Sequence, residues 1–202
     1  MNILEAIETR RSIKHFDPAH VMPQAEVDRL LELARLAPSS FNMQNYRFVL
    51  VRDPELRKQI RVVAWDQAQV TDASLLVVMC ADLRAHEHQP ERYWSHAPQP
   101  VQDILVPALK GFYAGKDQLI RDEAMRSTAL GGMTLMLAAR GLGYETCPMV
   151  GFDPEAVSKI IRLPDDHAIS FMIAIGKSLQ EPWPRGDRLD ASETVIVNQF
   201  PV

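Results

Sequence analysis

Arg10-Arg11-Ser12-Ile13-Lys14-His15 sets four basic side chains and a hydroxyl within six positions, and Arg185 and Arg188 form a second basic pair near the other end of the chain. Guanidinium groups grip phosphate oxygens with paired hydrogen bonds and Lys adds a mobile point charge, so two such segments that converge make a phosphate site. Segments that stay apart are ordinary solvated surface, where single charge pairs contribute little.

Three further stretches carry groups suited to a flat ring. Ser39 to Asn45, SSFNMQN, packs two hydroxyls and three side-chain amides directly after Pro38. Amides match the alternating donors and acceptors on the edge of a heterocycle, although the same residues also cap helices and turns. Trp65 to Ser74, WDQAQVTDAS, places Asp66, Gln67 and Gln69 just ahead of an apolar run, where loop residues can face a ligand. In Pro148-Met149-Val150-Gly151, one residue fixes the chain and another permits close backbone approach, so main-chain N–H groups there can be presented to something planar; an ordinary turn has the same composition.

The chain carries no nucleophile elbow, HExxH or P-loop. His86-Glu87-His88 with Glu91 is its one metal-like grouping, and it reads as a solvated loop, so we expect no metal. Any reactivity then has to come from an organic cofactor.

The elements that must position these groups follow from apolar spacing. Asn2 and Glu5 make a helix start, with Ile3, Ala6 and Ile7 as its apolar stripe. Pro23 opens a second helix with Val27, Leu30, Leu31 and Ala34 on one face. Arg47–Val51, Ser74–Ala81 and the run ISFMIAIG near Ile169 are short, apolar and rich in β-branched residues, which predicts strands covered on both faces. Asp117 to Arg140 is a long helix stopped by Gly141 and Gly143; the pair Gly131-Gly132 inside it implies that another helix or a partner subunit approaches its backbone. Residues 83–116 show no clean period and read as an irregular helical excursion or lid. TVIV near the end has strand character and would belong to a neighbour's sheet.

With 202 residues, 47% apolar and 24% charged, the chain suits one globular domain, residues 1–202. A formal net charge of -4 with dispersed Lys and Arg argues against nucleic acid as a partner. No apolar run reaches bilayer length or forms a leader, which argues against a membrane and for the cytoplasm. Cys80 and Cys147 each sit in an apolar setting and read as reduced, buried thiols.

Taken in order, RRSIKHFD, PSSFNMQNYRFVLV, QVTDASLLVV, LGYETCPMVGFD and PRGDRL resemble the nitroreductase family of FMN-dependent enzymes over nearly the whole chain. That resemblance implies an α+β fold: a mainly antiparallel central sheet wrapped by helices, in a homodimer intertwined through its long helices and exchanged C-terminal segments, here residues 180–202. It also implies an FMN site at the dimer interface. Arg10, Arg11, Ser12 and Lys14 match the family's opening motif at the phosphate, ribityl chain and pyrimidine side of the ring, with Arg185 and Arg188 closing on the phosphate. Pro38, Ser39, Ser40, Asn42 and Gln44 match residues lining the cofactor from the partner chain. Asp66 and Gln69 match polar ring contacts, and Pro148, Met149, Val150 and Gly151 match the segment against the isoalloxazine.

By the same resemblance, NADPH or NADH reduces the flavin and a flat, electron-poor small molecule (nitroaromatic, quinone or enone) reoxidises it by ping-pong transfer. Lys14 takes the catalytic role of offsetting negative charge at the pyrimidine end. The alternatives are an FMN-dependent dehydrogenase or dehalogenase of a dedicated small molecule, and a non-catalytic FMN-binding protein. The chain departs from the common pattern at Asn45-Tyr46, where a Pro-Trp pair is usual, at Asp66 for Asn, and at Val150 for Glu.

Overall fold

The computed structural model describes residues 1–200. Helix α1 (Ile3–Thr9) starts where the Asn2 side chain accepts the Glu5 N–H at 2.9 Å, and α2 (Gln24–Ala34) buries Val27, Leu30 and Ala34. Strand β1 (Tyr46–Val51) leads to α3 (Pro54–Val63), capped by Asp53, to the single turn α4 (Gln69–Asp72) and to β2 (Leu75–Asp82). The next excursion holds a 3₁₀ turn at Pro90–Trp94 and helix α5 (Gln99–Tyr113), whose regular period is masked in the sequence by Pro98, Pro100 and Pro107. Then come α6 (Asp117–Gly141), β3 (Glu145–Met149), α7 (Pro154–Ile160), β4 (His167–Gly176) and α8 (Ala191–Thr194).

The strands form one antiparallel sheet in the order β1-β2-β4-β3, with Val49 opposite Val78, Val77 opposite Ile173 and Cys147 opposite Ala174. Side chains of β2 alternate between two cores, as the two-residue period of a strand requires. Leu76, Val78 and Cys80 face Ile60 of α3 and Val157 of α7, whereas Leu75, Val77 and Met79 face Leu30 of α2 and Leu135 of α6. The central strand is therefore buried along its length, and Cys80 and Cys147 are buried free thiols.

Two expectations change. Strand β3 includes Pro148, so the PMVG stretch begins inside the sheet; an edge position tolerates a residue without an N–H, and five residues with a proline give little strand signal. The pair Gly131-Gly132 is approached by the chain's own sheet: a Cβ on Gly132 would lie 2.3 Å from Phe171 Cζ of β4, and one on Gly131 would lie 3.4 Å from the Tyr46 ring. The glycines let α6 settle on these rings. Near the C-terminus, Asp190 accepts the Ser192 N–H at 2.8 Å and starts the short α8, and among the described residues Val195–Val197 pair with no strand.

Candidate functional site

The segment carrying the first basic cluster is pinned from both sides. Ser12 bridges Thr146 in the parallel sense and the Ile13 N–H donates to Thr146 O at 3.0 Å, which fastens the segment to the β3 edge. On its other side the Asp17 N–H donates to Lys177 O at 2.8 Å and the Leu179 N–H to His15 O at 3.0 Å, fastening it to the chain that leaves β4. Ile13 and Phe16 turn inward, which leaves Ser12, Lys14 and His15 exposed. Because the chain leaving β4 runs on into Arg185 and Arg188, the two basic clusters converge.

They meet around a cavity of about 380 Å³, with Arg10, Arg11, Ser12, Lys14 and His15 on one wall and Trp183, Arg185 and Arg188 on the other. Arg185 donates to Glu8 O at 2.7 Å and Arg10 O at 2.9 Å, tying the C-terminal end of α1 to this wall. Desolvation, then the charges of Arg11, Arg188 and Arg10, weaken the hold of exposed Arg185 on its proton. Arg10 Nη1 is buried without a partner. Behind it Glu145 pairs with Arg140, and burial raises the Glu145 pKa against the pull of Arg140, Arg10 and Lys177. A cavity with gathered cations and one orphaned guanidinium nitrogen fits a dianionic group such as a phosphate.

The isolated parallel bridge of Ser12 to Thr146 lays the Arg10–Lys14 segment along β3, the strand that runs on into Pro148–Gly151. The charges of Lys14 and Arg10 reach the Cys147 thiol, whose pKa burial nevertheless raises. Val150 projects outward at 79% exposure. Its neighbour Gly151 is held by Gln67, whose Nε2 donates to Gly151 O at 2.7 Å, and buried Gln69 donates in turn to Gln67 Oε1 at 3.0 Å. Gln69 is thus a support for Gln67, and Gln67 is the residue that reaches the segment.

Trp65, which sequence reasoning did not single out, covers Gly151. A Cβ on that glycine would lie 2.5 Å from Trp65 Cζ3, yet the indole is 76% exposed. Trp65 and Asp66 both hold left-handed backbone, φ +55° and +53°. The Asp66 carboxylate accepts from Arg61 Nε at 2.7 Å, so it fastens this turn to α3. An aromatic residue opening a polar run was the available signal for Trp65.

Pro38, Ser39, Ser40, Asn42 and Gln44 do not line the cavity within one chain. They form a separate loop in which Phe41, Asn42 and Gln44 have φ of +51°, +53° and +45°. Just after it, the Tyr46 hydroxyl donates to Arg35 O at 2.9 Å and Ala37 O at 3.2 Å, closing the end of α2, and Asn45 is buried with Oδ1 unpartnered. The Asn45-Tyr46 departure therefore anchors the loop. Of the metal-like grouping, His86 pairs with Glu87 and Glu91 with Lys110.

The family model described as "Nitroreductase family" matches residues 7–177. Protein DrgA of Synechocystis is 49% identical over 181 residues, covering 90% of this chain and 86% of the relative. A protein named NADH dehydrogenase from Thermus thermophilus is 35% identical over 193 residues, covering 93% and 91%. A solved structure from Exiguobacterium sibiricum, provisionally named a nitroreductase and in complex with FMN, superposes with a TM-score of 0.91 at 29% identity, covering 98% of both chains.

Proposed function

Because the chain belongs to the nitroreductase family, we propose that it is an FMN-dependent oxidoreductase that passes electrons from NADPH or NADH to a flat, electron-poor acceptor of nitroaromatic, quinone or enone type. The observation that carries the reading is the cavity where Arg10, Arg11, Arg185 and Arg188 gather beside the Pro148–Gly151 segment, with Arg10 Nη1 still lacking a partner. The FMN named for the Exiguobacterium structure and the NADH named for the Thermus relative support it.

Bound FMN supplies two-electron chemistry between nicotinamide and acceptor. In this chain Arg10, Arg11 and Arg188 would hold its phosphate, with Arg185 bracing that wall through α1. Ser12 would meet the ribityl chain. Lys14 would place a fixed positive charge at the pyrimidine side, where preorganised electrostatics offset developing negative charge. Pro148, Met149, Val150 and Gly151 would back the ring, kept in place by Gln67 and, behind it, Gln69 and Asp66. The exposed faces of Trp65 and Val150 would border the slot shared in turn by reductant and acceptor, and such sharing gives ping-pong kinetics.

The protein would work as a homodimer in which Pro38, Ser39, Ser40, Asn42 and Gln44 complete the site of the partner chain. Exposed apolar residues on α1 (Ile3, Leu4, Ile7), on α6 (Leu130, Met133) and after β4 (Trp183, Val197, Phe200) support an extensive subunit contact, including exchange of residues 180–202. We read residues 1–202 as one domain with the 83–116 excursion as its lid. No helix among the described residues is long and apolar enough to cross a membrane; with two free buried cysteines, this supports a cytoplasmic enzyme.

Anaerobic addition of NADPH, then NADH, to the purified protein tests the reading. The visible flavin absorption is expected to bleach and to return on adding a quinone. Flavin that neither nicotinamide bleaches would turn the reading toward a binding protein.

A further inference from the structure

The loop Ser39–Gln44 combines strained backbone with contacts from a neighbouring element. Phe41, Asn42 and Gln44 all occupy left-handed backbone, a conformation Asn tolerates but one unfavourable for Phe41 and Gln44. Within the loop, Ser39 Oγ accepts the Gln44 N–H at 2.8 Å, and Gln44 Nε2 lies 3.3 Å from Asn42 O. The Asn42 and Met43 N–H groups also donate to Ser39 O and Ser40 O at 3.0 Å, Arg47 Nη1 of β1 donates to Gln44 O at 2.8 Å, and further contacts come from the excursion between β2 and α6. The Phe41 ring packs against Trp94, Phe112 and Tyr113 with centroids 6.2, 5.8 and 6.2 Å away, and Asn42 Nδ2 reaches Tyr93 O at 3.4 Å. One contact is directed at a side chain expected to face the cofactor: the Tyr113 hydroxyl donates to Ser40 Oγ at 2.8 Å.

We propose that Tyr113 is a positioning residue for flavin binding, acting through Ser40, whose hydroxyl it orients for a hydrogen bond to FMN. The inference rests on the flavin reading above. A serine hydroxyl that accepts one bond keeps one proton to donate, so Ser40 is set to meet an acceptor atom such as a ring carbonyl or ribityl oxygen. Tyr113 is 1% exposed in the end of α5, packed with Met43, Tyr93 and Leu109, so the donor cannot swing away. Burial, with a smaller contribution from Glu123, raises its pKa and keeps the phenol protonated as a donor. The ring of Tyr113 belongs to the aromatic packing, whereas its oxygen serves Ser40; the two roles separate on removing one atom.

FMN titration of the flavin-free dimer, followed by flavin fluorescence, separates the possibilities. Tyr113→Phe keeps the ring and is expected to weaken FMN binding about five- to tenfold, as loss of one oriented hydrogen bond does. Ser40→Ala should weaken it similarly, and the double variant no further, whereas in a Ser40→Thr background, which keeps the accepting oxygen, Tyr113→Phe should still cost its full factor. Wild-type FMN affinity in Tyr113→Phe, or additive losses with Ser40→Ala, would overturn the inference alone. Failure of the wild-type protein to bind FMN would overturn the flavin reading and this inference with it.

Discussion

The basic cavity and the Ser39–Gln44 loop leave opposite things unsatisfied. Around the cavity the backbone is extended and hydrogen bonded on both sides, while the side chains keep like charges together and Arg10 Nη1 without a partner. In the loop the side chains are largely bonded, but the backbone holds three non-glycine residues at positive φ. One region stores its unmet demand in electrostatics, which an anion relieves. The other stores it in conformation, which the loop's own hydrogen bonds and aromatic packing from the excursion oppose. Charge and salt should therefore govern the first, and aromatic packing the second.

Arg10→Ala should break the comparison on the electrostatic side with the largest effect. Charge-assisted bonds contribute about 1.5–3 kcal/mol, so FMN affinity should fall by one to two orders of magnitude, and added salt should weaken what remains. The flavin-free variant should melt no lower than wild type, because a repelled cation has been removed; a large drop in Tm would mean that the cavity is held together by Arg10 after all.

Phe41→Ala tests the other side. Losing a half-buried ring from the aromatic packing should destabilise the flavin-free protein by about 2 kcal/mol in urea unfolding, with no dependence on ionic strength. Equal unfolding midpoints would show that the ring does not hold the strained loop. Lys14→Ala should slow reduction of bound FMN by nicotinamide about tenfold in stopped flow, as loss of one preorganised charge does, while changing FMN affinity less than Arg10→Ala.

The smallest expected effect is on pH dependence. His86 is buried against the Tyr113 ring, and desolvation lowers its pKa below 6.5. Below that value the unfolded chain takes a proton that the folded chain resists, so stability should fall as pH drops through 6.5. His86→Gln should flatten thermal stability between about pH 7 and 5.5; an unchanged slope would place the titrating group elsewhere.

Much of the frame was legible in the sequence. Strands β1, β2 and β4 and helices α2 and α6 follow from apolar period, because each buries a continuous face, whereas α1 shows through its Asn2 cap and buries only Ala6. Strand β3 did not show, being five residues with a proline that only an edge position tolerates. Val195–Val197 carry strand composition yet join no strand among the described residues. Residue type left the convergence of Arg10 with Arg188 open against two solvated basic segments, and the family resemblance pointed to convergence. Left-handed φ at Phe41 or Trp65 leaves no trace in composition, and the bond from Tyr113 to Ser40 spans 73 residues, beyond any local pattern.

The reading turns on the cations gathered at the cavity, Arg10 among them with Nη1 unpartnered, being kept for the phosphate of a flavin. Parallel titrations of the flavin-free protein with FMN and with riboflavin, identical but for that phosphate, test it most directly. The account predicts FMN binding at least a hundredfold tighter, the worth of two or more charge-assisted bonds. Equal affinities, or no binding of either, would contradict it.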